Sequence, residues 1–375
     1  MRGSIVKRGK TYSYVFVLEP DHEGKRRQKW VGGFRTKKEA EAGLAEALGR
    51  VQAGTYSDAG RQTVREFCEQ WIESVASSLA PSTVSDYRRI IQQMIIPRLG
   101  KIRLGALTPA HISKFDNDLL KGGGRNGKPL APRSVVYAHA VLGRALQDAL
   151  RWGLIARNPS RMVKRPKAPK TEMSVWTAEQ ARQFLAYVGD DRLHALWFLL
   201  LTTGLRRGEV AALRWTDIDL TAKTLSVQRT RVTVDYMVVE NEPKTPQSRR
   251  RLALDVDTVE ALRAHRRQQN ADRKLLGEDW QQTGYVFTDE IGEPMHPQAI
   301  TDRFQVLARE AGVPVMRLHD LRHTSATLAL SAGVHPKVVQ ERLGHSSIMI
   351  TMDTYSHVVQ GMQEEAAEKL AGLLR

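Results

Sequence analysis

A mainly helical α+β chain with several domains is the fold this sequence predicts, and three observations carry the prediction. Apolar residues recur at helical spacing over most of the 375 residues. Strand-like alternation is confined to the first 35 or so residues and to a stretch near 224–254. The chain is also too long for one typical core. The expected layout is a small N-terminal three-stranded sheet plus helix over 1–58, a helical bundle over 62–155, a basic linker over 156–175, and a mixed, mainly helical domain with a small antiparallel sheet over 176–375.

Strand-like runs at 11–17 and 28–34 flank the turn residues Asp21, His22, Glu23 and Gly24, and a helix is expected over 37–51 with Ala40, Leu44 and Leu48 at spacing four. This unit is too small to hold much core. It does carry Lys7, Arg8, Lys10, Lys25, Arg26, Arg27, Lys29 and Arg35 on or beside its strands. A basic three-stranded sheet suits a DNA groove, and the same charges also suit a solvated face.

Residues 62–153 read as helices throughout. The first, 63–76, sets Val64, Phe67, Trp71 and Val75 on one stripe, and Pro81-Ser82-Thr83 opens the second, with proline in the first turn and hydroxyls as candidate caps. Two more run over 109–120 and 132–152, separated by the glycine-rich loop 121–128. Residues 156–174 turn to Arg, Lys, Pro and Ser, including Lys164, Arg165 and Lys167, the composition of an extended, poorly packed strap that could join two lobes around a duplex. Helices are then expected at 178–187, 193–202 and 208–213, strands at 224–234, 236–239 and 251–254, and helix again from 258 onward. The tail 363–374 is amphipathic, with Ala366, Leu370 and Leu374 at spacing four, a face for packing in cis or against a neighbouring protomer.

Composition narrows the function classes. Lys and Arg number 57 against 41 Asp and Glu, a net charge of +16 that favours a polyanionic partner, nucleic acid before membrane. The single cysteine, Cys68, rules out an intramolecular disulfide framework and a cysteine-rich zinc module. No apolar run reaches the length of a membrane span, and the start lacks a signal-peptide core, so a soluble cytoplasmic protein is expected.

Three motifs carry chemistry: Gly204-Leu205-Arg206-Arg207-Gly208-Glu209, then His319-Asp320-Leu321-Arg322-His323, then Leu343-Gly344-His345 followed ten residues on by Tyr355. Taken singly, each residue has a bland explanation: surface ion pairs for the arginines, a satisfied helix histidine, a packed tyrosine. Arg206 follows a glycine turn at a helix start, and His319 and Arg322 stand three apart on one helix face. Two guanidiniums and an imidazole so placed can cradle the non-bridging oxygens of a phosphodiester without a metal. His319 and His323 have zinc-helix spacing, but Asp320 replaces the glutamate and Arg322 would crowd the cation, so no metal is expected.

In order, spacing and local context these motifs resemble the tyrosine recombinase (phage integrase) family. The resemblance implies that Tyr355 attacks phosphorus, that Lys244, in Glu242-Pro243-Lys244-Thr245-Pro246, protonates the leaving 5′-oxygen, and that His345 donates to the phosphate. Glu209 is expected to orient Arg206. No cofactor is needed, because the phosphotyrosyl ester conserves the energy for rejoining. The position of the N-terminal sheet resembles the arm-binding domain of lambda-type integrases, making 62–155 the core-binding (SAM-like) domain and 176–375 the catalytic domain. Implied partners are double-stranded DNA at core-type and arm-type sites, a homotetramer on DNA working through a Holliday junction, and accessory bending and excision-directing proteins. The alternatives are a type IB topoisomerase-like enzyme and a non-catalytic DNA-binding protein.

Overall fold

Residues 3–18, 27–52, 62–169, 174–242, 249–352 and 371–372 are described by the structure, a computed structural model, and they divide into two compact units, Met1–Lys170 and Thr171–Arg375. No helix among the described residues is long and apolar enough to cross a membrane.

The first unit begins with an antiparallel sheet in the order β1 (Gly3–Arg8), β2 (Thr11–Leu18), β3 (Arg27–Phe34), followed by α1 (Lys37–Gln52). Tyr14 and Phe16 of β2 pack with Leu44, Ala47 and Leu48 of α1 into a small core. Register decides which cations share a face. Lys7 pairs with Tyr12 and Lys29 with Phe16, on the helix side, whereas Arg8 lies opposite, 4.6 Å from the ring of Trp30. The strand cations therefore divide between two faces, because successive side chains alternate across a strand.

A separate core is built by α2 (Val64–Ala76), α3 (Pro81–Ile90), a π-helical turn Ile91–Ile95, α4 (Ile96–Leu99), α5 (Pro109–Gly122) and α6 (Pro132–Arg151). Thr63 and Glu66 form a capping box that starts α2. Proline alone begins α3: its N-cap is Ala80 with no side-chain cap, so the expected hydroxyl cap from Ser82 or Thr83 is absent. Trp71 stacks on Tyr87 and donates through Nε1 to Asp148 Oδ2 at 2.8 Å, joining α2, α3 and α6. The expected loose strap after residue 156 begins as packed structure. Asn158 and Ser160 are buried, and Asn158 Nδ2 donates to Gly143 O at 3.0 Å.

The second unit wraps around α8 (His194–Thr203), which is apolar on nearly every side and buried accordingly. Around it lie α7 (Ala178–Tyr187), α9 (Arg207–Ala211), α10 (Val256–Leu276), α11 (Pro297–Glu310), α12 (Leu318–Ser331) and α13 (Pro336–Leu343). The strand expected over 224–234 is two strands in different sheets. β4 (Ile218–Asp219), β5 (Thr224–Val227) and β8 (Arg250–Ala253) form one sheet, while β6 (Thr230–Val234) and β7 (Met237–Asn241) form a hairpin turning at Asp235 and Tyr236, both at positive φ. Trp176, Phe184, Trp197 and Phe304 meet in one cluster, with centroid separations from 4.9 to 6.2 Å. Phe304→Ala should lower the unfolding free energy of this unit by about 3–5 kcal/mol, read from urea titration followed by tryptophan fluorescence; a loss below about 1 kcal/mol would mean the cluster does not hold the unit together.

Candidate active site

Two left-handed glycines set the site. Gly204 (φ 66°) ends α8, and a Cβ there would stand 2.7 Å from Leu343 Cδ2, so only glycine lets this turn approach α13. Gly344 (φ 66°) ends α13, with Gly344 N–H donating to Glu341 O at 3.0 Å and His345 N–H to Gln340 O at 3.1 Å, a Schellman motif. That motif leaves the carbonyls of residues 342, 343 and 344 to find donors elsewhere.

Each of them finds an arginine. Arg250 Nε donates to Arg342 O at 2.6 Å, Arg322 Nη2 to Leu343 O at 2.6 Å, and Arg206 Nη2 makes a long contact of 3.5 Å with Gly344 O. Arg322, only 3% exposed, also donates through Nη1 to Gly204 O at 2.8 Å, tying the two glycine turns together. Guanidinium charge suits this end of a helix, where the peptide dipoles place partial negative charge.

Glu209 lies under Arg206 as expected, accepting from its backbone N–H at 2.9 Å and its Nη1 at 2.8 Å. The same carboxylate is gripped by Arg250, Nη1 to Oε1 at 3.0 Å and Nη2 to Oε2 at 2.9 Å. Burial opposes charge on Glu209, but the hydrogen bonds and charge of Arg250, with those of Arg206, outweigh it and hold the carboxyl below its ordinary range.

Arg206, His319, Arg322 and His345 line one cleft of about 890 Å³, together with Arg207, Thr230, Arg231 and His323. His319 and Arg322 project from α12, whose start is fixed by Asp320 accepting from the backbone N–H of Arg317 at 3.1 Å. The α12 helix is held to the head of the unit by Trp176 N–H donating to Thr324 Oγ1 at 3.1 Å. His345 Nδ1 is hydrogen-bonded to Thr351 Oγ1 at 2.9 Å, and its carbonyl accepts from Gln340 Nε2 at 2.6 Å. Both rings are held uncharged near neutrality. Burial, then His323 and Arg322, push His319 down to about 4; burial, then Arg322 and Arg206, push His345 down to about 4.

Lys244 and Tyr355 lie outside the described residues, as do Lys25 and Arg26 and the side chain of Arg27. Of the tail, only residues 371–372 are described. Lys7, Arg8, Lys10, Arg35, Lys164, Arg165 and Lys167 are exposed on the first unit, and Lys29 is half-buried there. Sequence reasoning missed Arg250, one of three consecutive arginines. Strand alternation was the available signal, since it places Arg250 and Leu252 inward and Arg249 and Arg251 outward. Arg207 and Arg231 were also passed over; their partners are neutral, Gln298 and Thr301 for Arg207, the carbonyls of Ala211 and Met295 for Arg231.

Comparison with known proteins agrees with this geometry. Residues 174–361 match the phage integrase family, residues 63–120 the phage integrase N-terminal SAM-like domain, and residues 4–51 the Arm DNA-binding domain. The chain is 31% identical to a tyrosine recombinase XerC-like protein of Caldanaerobacter subterraneus, covering 99% of this chain and 98% of that one. It is 28% identical to the integrase of Mycobacterium phage L5, covering 91% and 90%. In fold it is similar to the Tn1549 transposon integrase in complex with transposon right end DNA (TM-score 0.67, 20% identity, covering 82% of this chain and 100% of that one). It is similar also to a lambda integrase dimer bound to a core site (TM-score 0.58, 18% identity, 94% of each chain covered). The chain belongs to the phage integrase family of tyrosine recombinases, enzymes that cleave and exchange DNA strands.

The histidines give a pH test on the free protein. Folding lowers their proton affinity, so the unfolded chain binds protons that the native chain refuses. Their contribution to stability is complete above about pH 6.5 and is lost as pH falls toward about 4. The urea midpoint should fall over that window in the wild type and fall less in the His319→Asn/His345→Asn double variant. Equal losses in the two proteins would remove the histidines as the cause.

Proposed function

We propose that this protein is the site-specific integrase of a mobile element, integrating and excising DNA through a covalent tyrosyl intermediate. Its working parts are an arm-type DNA-binding domain (1–58), a helical core-binding domain (62–155), a basic linker (156–175) and a catalytic domain (176–375). The observation that carries the reading is the convergence of Arg206, Arg322, His319 and His345 on one cleft, a set of donors matched to a phosphodiester and held by the α13 carbonyls and by Glu209.

In this mechanism the guanidiniums of Arg206 and Arg322 take the two non-bridging oxygens, and the neutral imidazoles of His319 and His345 add N–H donors. The Tyr355 oxygen forms a bond to phosphorus as the bond from phosphorus to the 5′-oxygen breaks. The phenolic proton passes to solvent water, and the Lys244 ammonium supplies one to the departing 5′-oxygen and regains it from water, so protons balance. The product, a 3′-phosphotyrosyl ester, is reversed by attack from the 5′-hydroxyl of a partner strand, which gives exchange without an added energy source.

The match of residues 4–51 to an Arm DNA-binding domain favours integration over topoisomerase-like relaxation, for which that domain would have no task. The lambda integrase, similar in fold, has been solved as a tetramer bound to a Holliday junction, which supports a homotetramer on DNA here. Accessory bending and excision-directing proteins complete the proposed partners, and the cytoplasm, where the DNA lies, the proposed location.

Wild type and Tyr355→Phe, incubated with supercoiled DNA of the source genome in excess chelator, should both bind. Only the wild type should leave protein-linked DNA on a denaturing gel, and sequencing the linked ends gives the site. Undiminished strand exchange by Tyr355→Phe would sink the nucleophile assignment, and loss of the adduct on chelation would sink the metal-free mechanism.

A further inference from the structure

Arg250 has no place in the mechanism above, yet it is among the most fully engaged side chains beside the cleft. Its side chain is 6% exposed and its fork closes on both oxygens of Glu209, whose own side chain is 4% exposed. Glu209 in turn holds the backbone and the guanidinium of Arg206. On its other edge Arg250 donates through Nε to Arg342 O, two residues before Gly344 and three before His345. Its strand, β8, is also the strand that leads out of the segment carrying Lys244, and the neighbouring Arg249 pairs with Glu242 on the far side of that segment. One side chain thus touches both the support of Arg206 and the helix end that presents His345.

We infer that Arg250 is a positioning residue for strand cleavage, fixing Arg206 through the buried carboxylate of Glu209. The inference rests on the proposed role of Arg206 at the scissile phosphate. Two features make it more than a structural ion pair. A planar fork that fills both carboxylate oxygens leaves Glu209 only one orientation, which lysine, a point charge with no fork, cannot impose. The carboxylate so fixed faces a guanidinium whose side chain is 36% exposed, and which therefore depends on Glu209 for its aim.

The test uses the full-length protein and a duplex of the site mapped from the adduct ends. If the wild type forms no adduct, the proposed function fails before Arg250 is examined, so the two failures are distinct. Given a wild-type adduct, Arg250→Lys keeps the buried charge. It should bind the duplex within about twofold of wild type and unfold at nearly the same temperature, yet cleave about 10- to 100-fold more slowly at saturating protein, the range seen when an outer partner of a reacting group is lost. Wild-type cleavage by a folded Arg250→Lys overturns the inference.

If Arg250→Lys does not fold, the pair Arg250→Met/Glu209→Gln, which removes both buried charges together, takes its place. It should then cleave no more slowly than Glu209→Gln alone, because both changes break one link to Arg206. Multiplicative losses in that pair would show Arg250 acting apart from Glu209 and would overturn the inference as well.

Discussion

The C-terminal end of α13 is the constraint on which the cleft depends. A Schellman turn at Gly344 uses two N–H groups to close the helix and leaves three successive carbonyls pointing outward. Those carbonyls accept from Arg250, Arg322 and Arg206, which come from β8, from α12 and from the turn before α9. Three segments far apart in sequence are thereby aligned on one short piece of backbone. A substitution at Gly344 would strain the turn and disturb three guanidiniums together, although glycine itself contributes no chemistry.

Crowding arginines in this way carries an electrostatic cost, and the structure shows where it is offset. Glu209 is shared by two of the guanidiniums, and its burial is tolerated because bidentate hydrogen bonds to Arg250 and two more to Arg206 replace its lost hydration. Arg207 and Arg231, on the same cleft, meet only neutral acceptors among their hydrogen-bond partners. One carboxylate, Glu209, thus aims Arg206 and Arg250 while the outer part of the cleft keeps its positive potential, the arrangement that draws in a polyanion.

How much of this was legible in the sequence varies by element for physical reasons. Helix α7 was readable at both ends, because Thr177 and Gln180 form a capping box at its start and Gly189 follows soon after its last turn. The strand over 224–234 was read as one because β-branched residues run on both sides of Gln228 and Arg229; only pairing partners reveal that β5 joins β8 while β6 joins β7. Composition likewise listed the cations of the N-terminal sheet without their faces, which follow from register and from the bulge between Tyr12 and Ser13. Resemblance grouped Arg206, His319, Arg322 and His345 in one set, and the four line one cleft, with Glu209 hydrogen-bonded to Arg206. Arg250 stayed hidden because three adjacent arginines are equivalent until a strand assigns them to faces.

The groups around the cleft divide into two chemical kinds, and the division bears on how the reaction responds to pH. Guanidiniums keep their charge at any pH the fold survives. The two histidines, pressed by burial and by those same arginines, stay neutral well below neutrality in the free protein. A phosphodiester entering the cleft meets guanidiniums of constant charge, while its own negative charge acts against the burial and the neighbouring cations that keep the histidines neutral. A pH dependence of cleavage therefore belongs to groups whose proton affinity the phosphodiester alters or whose protons the proposed step moves, and not to the guanidiniums. In the proposed mechanism the guanidiniums hold the transition state, and Lys244 and Tyr355 exchange protons as the bond breaks.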